Sequence, residues 1–206
     1  MLNEDQAKSY WEDRAKTHQE SAVGFDCRAI EEQDINYNIR TNFIFKNLDT
    51  YLPTLDYGCG IGRYAQQFSK YVGADMTKEL IKLARKRNKG KRFVHLSHPY
   101  LTEVETFNIR YKFDIEQVLT TTVLQHCDDE LVIKILKSFK DNLLGLKRLC
   151  FYEKDAGDKK PHVISRSTLD YMTLLSEAGI HTNGNCKSHI VHNEKHTLSV
   201  FNIQGR

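Results

Sequence analysis

The sequence predicts an α/β protein whose mostly parallel sheet carries helices on both faces. Three observations point there. Thr54 to Tyr57 reads as a short buried strand running into a turn with glycine at 58, 60 and 62. A second apolar run over 72–75 ends in an acid, Asp75, with Met76 directly after it. From there to the C-terminus, helix-like and strand-like segments alternate.

With 206 residues and 40% hydrophobic content the chain can bury one good core, so one domain over 1–206 is expected, helical over 1–50 and built on the sheet over 51–206. The net charge of +3 and pI near 8.5 are too mild to argue for a nucleic-acid partner. Cys27, Cys59, Cys127, Cys150 and Cys186 are odd in number and contain no C-x-x-C pair, as expected of reduced thiols in a cytoplasmic protein. The N-terminus is polar where a signal peptide would be apolar, and no stretch approaches the length of a membrane span.

Before residue 50 the pattern is helical. Residues 7–15 form one helix, which carries the only tryptophan, Trp11. A second runs from about 31 to 47 with Ile35, Ile39, Phe43 and Leu48 at near-helical spacing, and a turn over 22–26 lies between them. The glycine turn follows the first strand, and residues 63–70 are expected to open a helix behind it. A side chain at Gly58 or Gly60 would keep a ligand from lying on the backbone, and such a helix would offer free amide donors. These features describe a nucleotide-cofactor site. A dinucleotide fingerprint would need glycine at position 63, which is Arg63; the spacing present is D-x-G-x-G-x-G.

After Asp75, residues 77–85 form an amphipathic helix with Thr77 as N-cap, ending in a basic run over 85–92 that reads as solvated surface. Residues 92–96 are the third strand. Residues 102–112 pack as a helix or an irregular loop. A fourth strand lies within 113–126. Asp128, Asp129 and Glu130 open a helix that Gly145 ends, and 148–153 is the fifth strand. A polar loop over 154–161 leads to a helix capped by Ser167 and stopped by Gly179. Two strands, 181–192 and 195–203, then form a hairpin joined at Asn193-Glu194.

The glycine turn with Asp56, the acid Asp75 and the segment from Phe113-Asp114 to Val123-Leu124-Gln125-His126 together resemble the class I S-adenosylmethionine-dependent methyltransferases. The resemblance runs from about residue 7 to the end. It implies a Rossmann-like, seven-stranded, mostly parallel sheet with an antiparallel last strand and an N-terminal helical lid. It also implies S-adenosylmethionine as cofactor. Asp56, Gly58, Cys59, Gly60 and Gly62 would form the cofactor turn, Asp75 would grip the ribose hydroxyls and Met76 would floor the adenine. Thr120 lies at the fourth-strand tip, where cofactor and acceptor meet. Tyr10 and Trp11 either face the sulfonium from the lid or anchor their helix to the core. Arg40 either holds the methionine carboxylate or is a surface arginine. Where the family has an acid after the third strand this chain has Ser97-His98-Pro99, leaving Ser97 as the substitute.

Methyl transfer from a sulfonium is an in-line displacement, for which alignment supplies most of what the protein provides, and a base helps when the acceptor is a hydroxyl. His126 is the first candidate base, with a helix-capping role as its alternative; Glu153 and His162 are the second candidates. Arg166 and Tyr171 either line the acceptor pocket or lie on a surface helix. Cys186, His189, His192 and His196 suggest a metal site, but with the turn at Asn193-Glu194 they do not converge, and no metal is expected. The chain lacks Asn/Asp-Pro-Pro-Tyr, Pro-Cys and a fourth-strand acidic cluster, which leaves metal-independent methylation of a small-molecule hydroxyl, such as that of a sugar or glycan precursor. A non-catalytic partner subunit that binds the cofactor or nothing is the alternative, and a nicotinamide oxidoreductase is disfavoured by Arg63.

Overall fold

Four short strands buried or nearly so, β1 (Thr54–Tyr57), β2 (Tyr71–Asp75), β3 (Arg92–His95) and β4 (Gln117–Thr121), lie parallel with β5 (Arg148–Lys154). The hairpin of β6 (Thr182–Val191) and β7 (Glu194–Ile203) completes a seven-stranded sheet of order β3-β2-β1-β4-β5-β7-β6, with β7 antiparallel to both neighbours. Strands covered on both faces read as continuous apolar runs, which is why β1, β2 and β5 were visible in the sequence. This computed structural model describes residues 4–18, 30–154, 163–191 and 194–204. The turn expected over 22–26, Cys27, the loop from 155 to 161, His162 and His192 lie outside the described residues.

Helices cover both faces. On one, α2 (Ile30–Phe45) and α3 (Lys78–Arg87) pack Ile44, Ile81 and Ala84 against Leu119, Cys150 and Tyr152. On the other, α4 (Glu103–Arg110), α5 (Asp129–Asn142) and α6 (Thr168–Glu177) pack Ile109, Ile135, Phe139 and Leu175 against Leu55, Val118 and Phe151. The boundaries have local causes. Asp128 accepts the Leu131 amide at the start of α5, and Ser167 and Asp170 form a reciprocal capping box on α6. Gly179, at φ +73°, ends α6. The first helix, α1 (Glu4–His18), sets Ala15 against Ile61 of the glycine turn and Leu80 of α3.

Two expectations are corrected. Residues 63–70 do not open an α-helix: only Ala65–Gln67 turn, as a short 3-10 segment. A helix over 63–70 would run directly into β2 at Tyr71, leaving no residue to turn the chain back into the strand. The chain is instead drawn back early, with the Ser69 amide donating to Thr50 O at 3.1 Å. The hairpin turn also sits one residue earlier than expected: Val191 pairs with Glu194, so His189 faces His196. Leu198 and Val200 fix the inner face of β7, whereas the mostly polar edge strand β6 carries no pattern to set the register. The region over 102–112, left open by its sequence, forms α4 with Thr106 and Ile109 inward.

Candidate functional site

The strand order reverses direction between β1 and β4, because β2 and β3 lie to one side of β1 and β4 and β5 to the other. In open α/β sheets ligands bind outside the carboxyl ends of the strands at this switch point. Two loops flank it here: the glycine turn after β1, and residues 122–126 after β4.

The glycine turn alternates left-handed and ordinary backbone, with φ of +73° at Gly58, +54° at Gly60 and +71° at Gly62. Its amides point inward. Gly58 N and Cys59 N donate to Ala74 O at 2.8 and 3.0 Å, and Gly62 N donates to Cys59 O at 2.9 Å. With these amides committed and no α-helix behind the turn, the expected supply of free donors is absent among them. What the glycines provide is close approach. A β-carbon at Gly58 would stand 2.4 Å from Val123 Cγ2, across the switch point.

Asp75 ties the turn to the tip of β2. Its Oδ2 accepts Gly60 N and its Oδ1 accepts Thr77 N, each at 2.8 Å. Burial pushes its pKa up, opposed by these two amides. Each oxygen keeps a further lone pair, so the carboxylate can still accept from a pair of hydroxyls. Asp56 is 2% exposed and accepts the Tyr71 hydroxyl at 2.7 Å; burial raises its pKa to about 7. It props the turn from beneath. Met76 is half-buried against the core beside the β2 tip. Ser97, exposed, gives both its amide and its hydroxyl to Glu105 Oε1. Glu105, in the first turn of α4, thus brings a carboxylate to the end of β3 where the sequence shows none.

On the β4 side, Thr122 takes φ +54°, rare for a β-branched residue and a strained conformation that its surroundings must hold. Two contacts hold it: its amide donates to Tyr152 O at 2.8 Å, and Glu153 Oε1 accepts the next two amides, Val123 N at 3.2 Å and Leu124 N at 3.1 Å. The same oxygen accepts from Thr120 Oγ1 at 3.2 Å, which places Thr120, fully buried, beneath the loop. Burial raises the Glu153 pKa to about 7, and its Oε2 is buried without a hydrogen-bond partner.

His126 is 9% exposed at the end of this loop. Gln125 Oε1 accepts Lys154 N at 2.9 Å, so its amide nitrogen is the group that faces His126 Nε2, at 3.3 Å. A neutral His126 therefore carries its proton on Nδ1. Trp11 of α1 meets the ring edge-on with centroids 5.2 Å apart, and Tyr10 meets Trp11 edge-on at 5.1 Å. Since Ala15 rests on Ile61, α1 bridges the glycine turn and the β4 loop and roofs the switch point.

Arg166 is not a pocket residue. Its guanidinium donates to Leu124 O, Cys127 O and Asp129 Oδ1 at 2.6 to 2.9 Å, clasping the segment from the β4 loop to α5. Tyr171 is buried against Phe151. Arg40 of α2 acts electrostatically on Tyr152, His189 and His196, which lie on the β5-β7-β6 side of the sheet. Among the described residues no group of three or more His, Cys, Asp or Glu is placed to hold a metal ion, and no helix is long and apolar enough to cross a membrane. The sequence did not single out Thr122 or Glu105, and it showed Val123 and Gln125 only as parts of the motif that ends in His126, with no role for either.

Residues 55–140, which carry the glycine turn, Asp75 and the β4 loop, match the family model described as a methyltransferase domain. No curated protein matches the sequence. Among solved structures, the chain resembles magnesium protoporphyrin IX methyltransferase from Synechocystis, solved with bound S-adenosylhomocysteine. The TM-score is 0.65 at 11% identity, covering 95% of this chain and 97% of that one. A methyltransferase from Anabaena variabilis gives 0.65 at 13%, covering 98% of each chain. Phosphoethanolamine N-methyltransferase 1 of Haemonchus contortus gives 0.66 at 15%, covering 96% of this chain and 48% of that one.

Proposed function

We propose that this class I S-adenosylmethionine-dependent methyltransferase acts, as one domain, on a hydroxyl of a small molecule and needs no metal ion. The observation that carries the reading is the joining of the glycine turn to Asp75 through Gly60 N, in which one carboxylate both fixes the turn and keeps lone pairs for a ligand. The residues fit the cofactor: Asp75, fixed by the Gly60 and Thr77 amides, keeps acceptor lone pairs at the rim of the turn.

When bound, S-adenosylmethionine supplies an electrophilic methyl group on a sulfonium. The chain's own residues do the rest. Asp75 accepts the ribose hydroxyls, Met76 lies along the adenine, and Glu105 with Ser97 supplies the acid expected at the end of β3. Trp11 and Tyr10 close the switch point, keep water out and present aromatic faces to a cation. The Gln125 amide holds the tautomer of His126 that leaves Nε2 unprotonated, and the acceptor hydroxyl takes the place of that amide at Nε2 before its proton is transferred. Glu153 holds the loop that presents His126. With Glu105 at Ser97, the end of β3 carries a carboxylate where the sequence has only Ser97-His98-Pro99, which favours a catalytic domain over a non-catalytic partner.

The test is transfer from methyl-labelled S-adenosylmethionine to matched panels of hydroxyl- and amine-bearing small molecules, with and without a chelator. Label entering hydroxyl acceptors, insensitive to chelator and about 100-fold slower in His126→Ala, is the expected result. Label confined to amines would overturn the hydroxyl reading.

A further inference from the structure

The sheet has two edges, and they are not built alike. β3 is four residues long, and Arg92 at its start lies over the Tyr111 ring at 4.9 Å. β6, at the other edge, is ten residues long and, among the described residues, its backbone is hydrogen-bonded to β7 alone. Every residue from Asn183 to Ser188 is exposed. A free edge presents a row of unpaired N–H and C=O groups, which proteins guard by keeping the strand short, by proline, by bulges or by charge. β3 is guarded by its length. β6 has no proline, an unbroken register and one charged residue, Lys187, whose ammonium donates to Asn47 Oδ1 at 2.6 Å.

The ground beside this edge is apolar on both faces of the sheet. Met172 of α6 lies 3.7 Å from where a β-carbon on Gly184 would stand, and Leu169, one turn earlier on the same flank, is 71% exposed. On the opposite face Phe43 of α2 stacks on His189 at 3.8 Å, and Ile39, one turn earlier, is 42% exposed. Ile190 of β6 itself is 70% exposed.

A second copy of this chain fits the edge, because the strand is complementary to itself. A two-fold axis between antiparallel strands sets one residue directly opposite its own copy and keeps each face of the sheet on its own side. In the middle of β6 that residue is Cys186 or Lys187. Two lysines set opposite each other repel, so Cys186 is the centre. Lys187 then lies opposite Asn185, Gly184 opposite Ser188 and Thr182 opposite Ile190, and the two α6 helices with their exposed Leu169 lie on one face. The switch point lies inside the sheet, beyond β5 and β7, and stays open.

We infer that β6 of one copy pairs with β6 of a second about a two-fold axis at Cys186, so that one sheet runs through both chains.

The test is sedimentation of the full chain over a range of concentrations, with Asn185→Lys and Asn185→Glu in parallel. Asn185 is exposed, so neither change disturbs the core. The expected result is a reversible dimer. Asn185→Lys sets like charges opposite each other at two places and should raise the dissociation constant about fivefold or more, whereas Asn185→Glu meets Lys187 and should leave it equal or lower. Oxidation with diamide should link the wild-type dimer covalently, and Cys186→Ser should abolish the link, because directly paired Cα atoms lie about 4.5 to 5.5 Å apart, within the span of a disulfide. A chain that stays monomeric at about 100 µM would overturn the inference, whether bare or holding an extended peptide along β6. So would a dimer that Asn185→Lys leaves intact, or one that oxidation does not link through Cys186.

Discussion

Gly58 and Val123 meet across the switch point so closely that a β-carbon on the glycine would lie 2.4 Å from Val123 Cγ2. The loops after β1 and β4 are therefore packed as one wall, and the conformation of each constrains the other. The φ of +73° at Gly58 adds a second reason why only glycine fits.

Gly58→Ala should lower stability by roughly 2 to 5 kcal/mol, the sum of a left-handed backbone penalty and overpacking. Pairing it with Val123→Ala should recover the packing part and leave the backbone part. Thermal melts of the single and double variants check this. Equal melting temperatures would mean that the two loops do not press on each other.

Arg166→Lys should fail to replace arginine. A single ammonium cannot reach Leu124 O, Cys127 O and Asp129 together, so Arg166→Lys and Arg166→Ala should both destabilise by about 3 kcal/mol or more. Full rescue by lysine in urea melts would return Arg166 to the ranks of solvated surface cations.

Stability should depend on pH through two opposed groups. The Asp56 pKa rises from 3.8 to about 7 on folding, so the stability present below pH 4 is lost as pH climbs through 7. The His196 pKa falls from 6.5 to about 3, so its contribution is present above 6.5 and lost as pH falls toward 3. Asp56→Asn removes the first and leaves the second, so its stability should rise more steeply than wild type between about pH 4 and 6.5. Urea melts across that window decide; parallel curves for the two proteins would contradict the burial account of Asp56.

These cases show what the sequence could and could not carry. The strands, the turn and Asp75 were legible because continuous apolar runs and glycine spacing are local signals. The length of the β1–β2 crossover was not, since Tyr64, Ala65 and Phe68 are buried at helical spacing while the geometry of the sheet forbids the helix. The pairing of His189 with His196 was hidden because an exposed edge strand offers no apolar alternation to fix its register. Arg166 and Glu105 were misread or missed because a buried clasp and a carboxylate reaching Ser97 depend on packing between distant segments.

Glu153→Gln should keep an oxygen for Val123 N, Leu124 N and Thr120, and so retain near-wild-type melting and activity within about tenfold. Glu153→Ala should leave those donors unmet beside the strained Thr122 and destabilise by about 2 kcal/mol or more. Should Glu153→Gln melt normally yet lose about 100-fold or more in kcat, Glu153 and not His126 would be the base.

The most direct measurement is calorimetric titration of the protein and of Asp75→Ala with S-adenosylhomocysteine, with NADH as control. The predicted result is saturable binding by the wild type, no response to NADH, and a loss of roughly 1.5 to 3 kcal/mol in the variant, the scale for removing a charged hydrogen-bond acceptor. Unchanged affinity in a folded Asp75→Ala, or no binding by folded wild type, would contradict it.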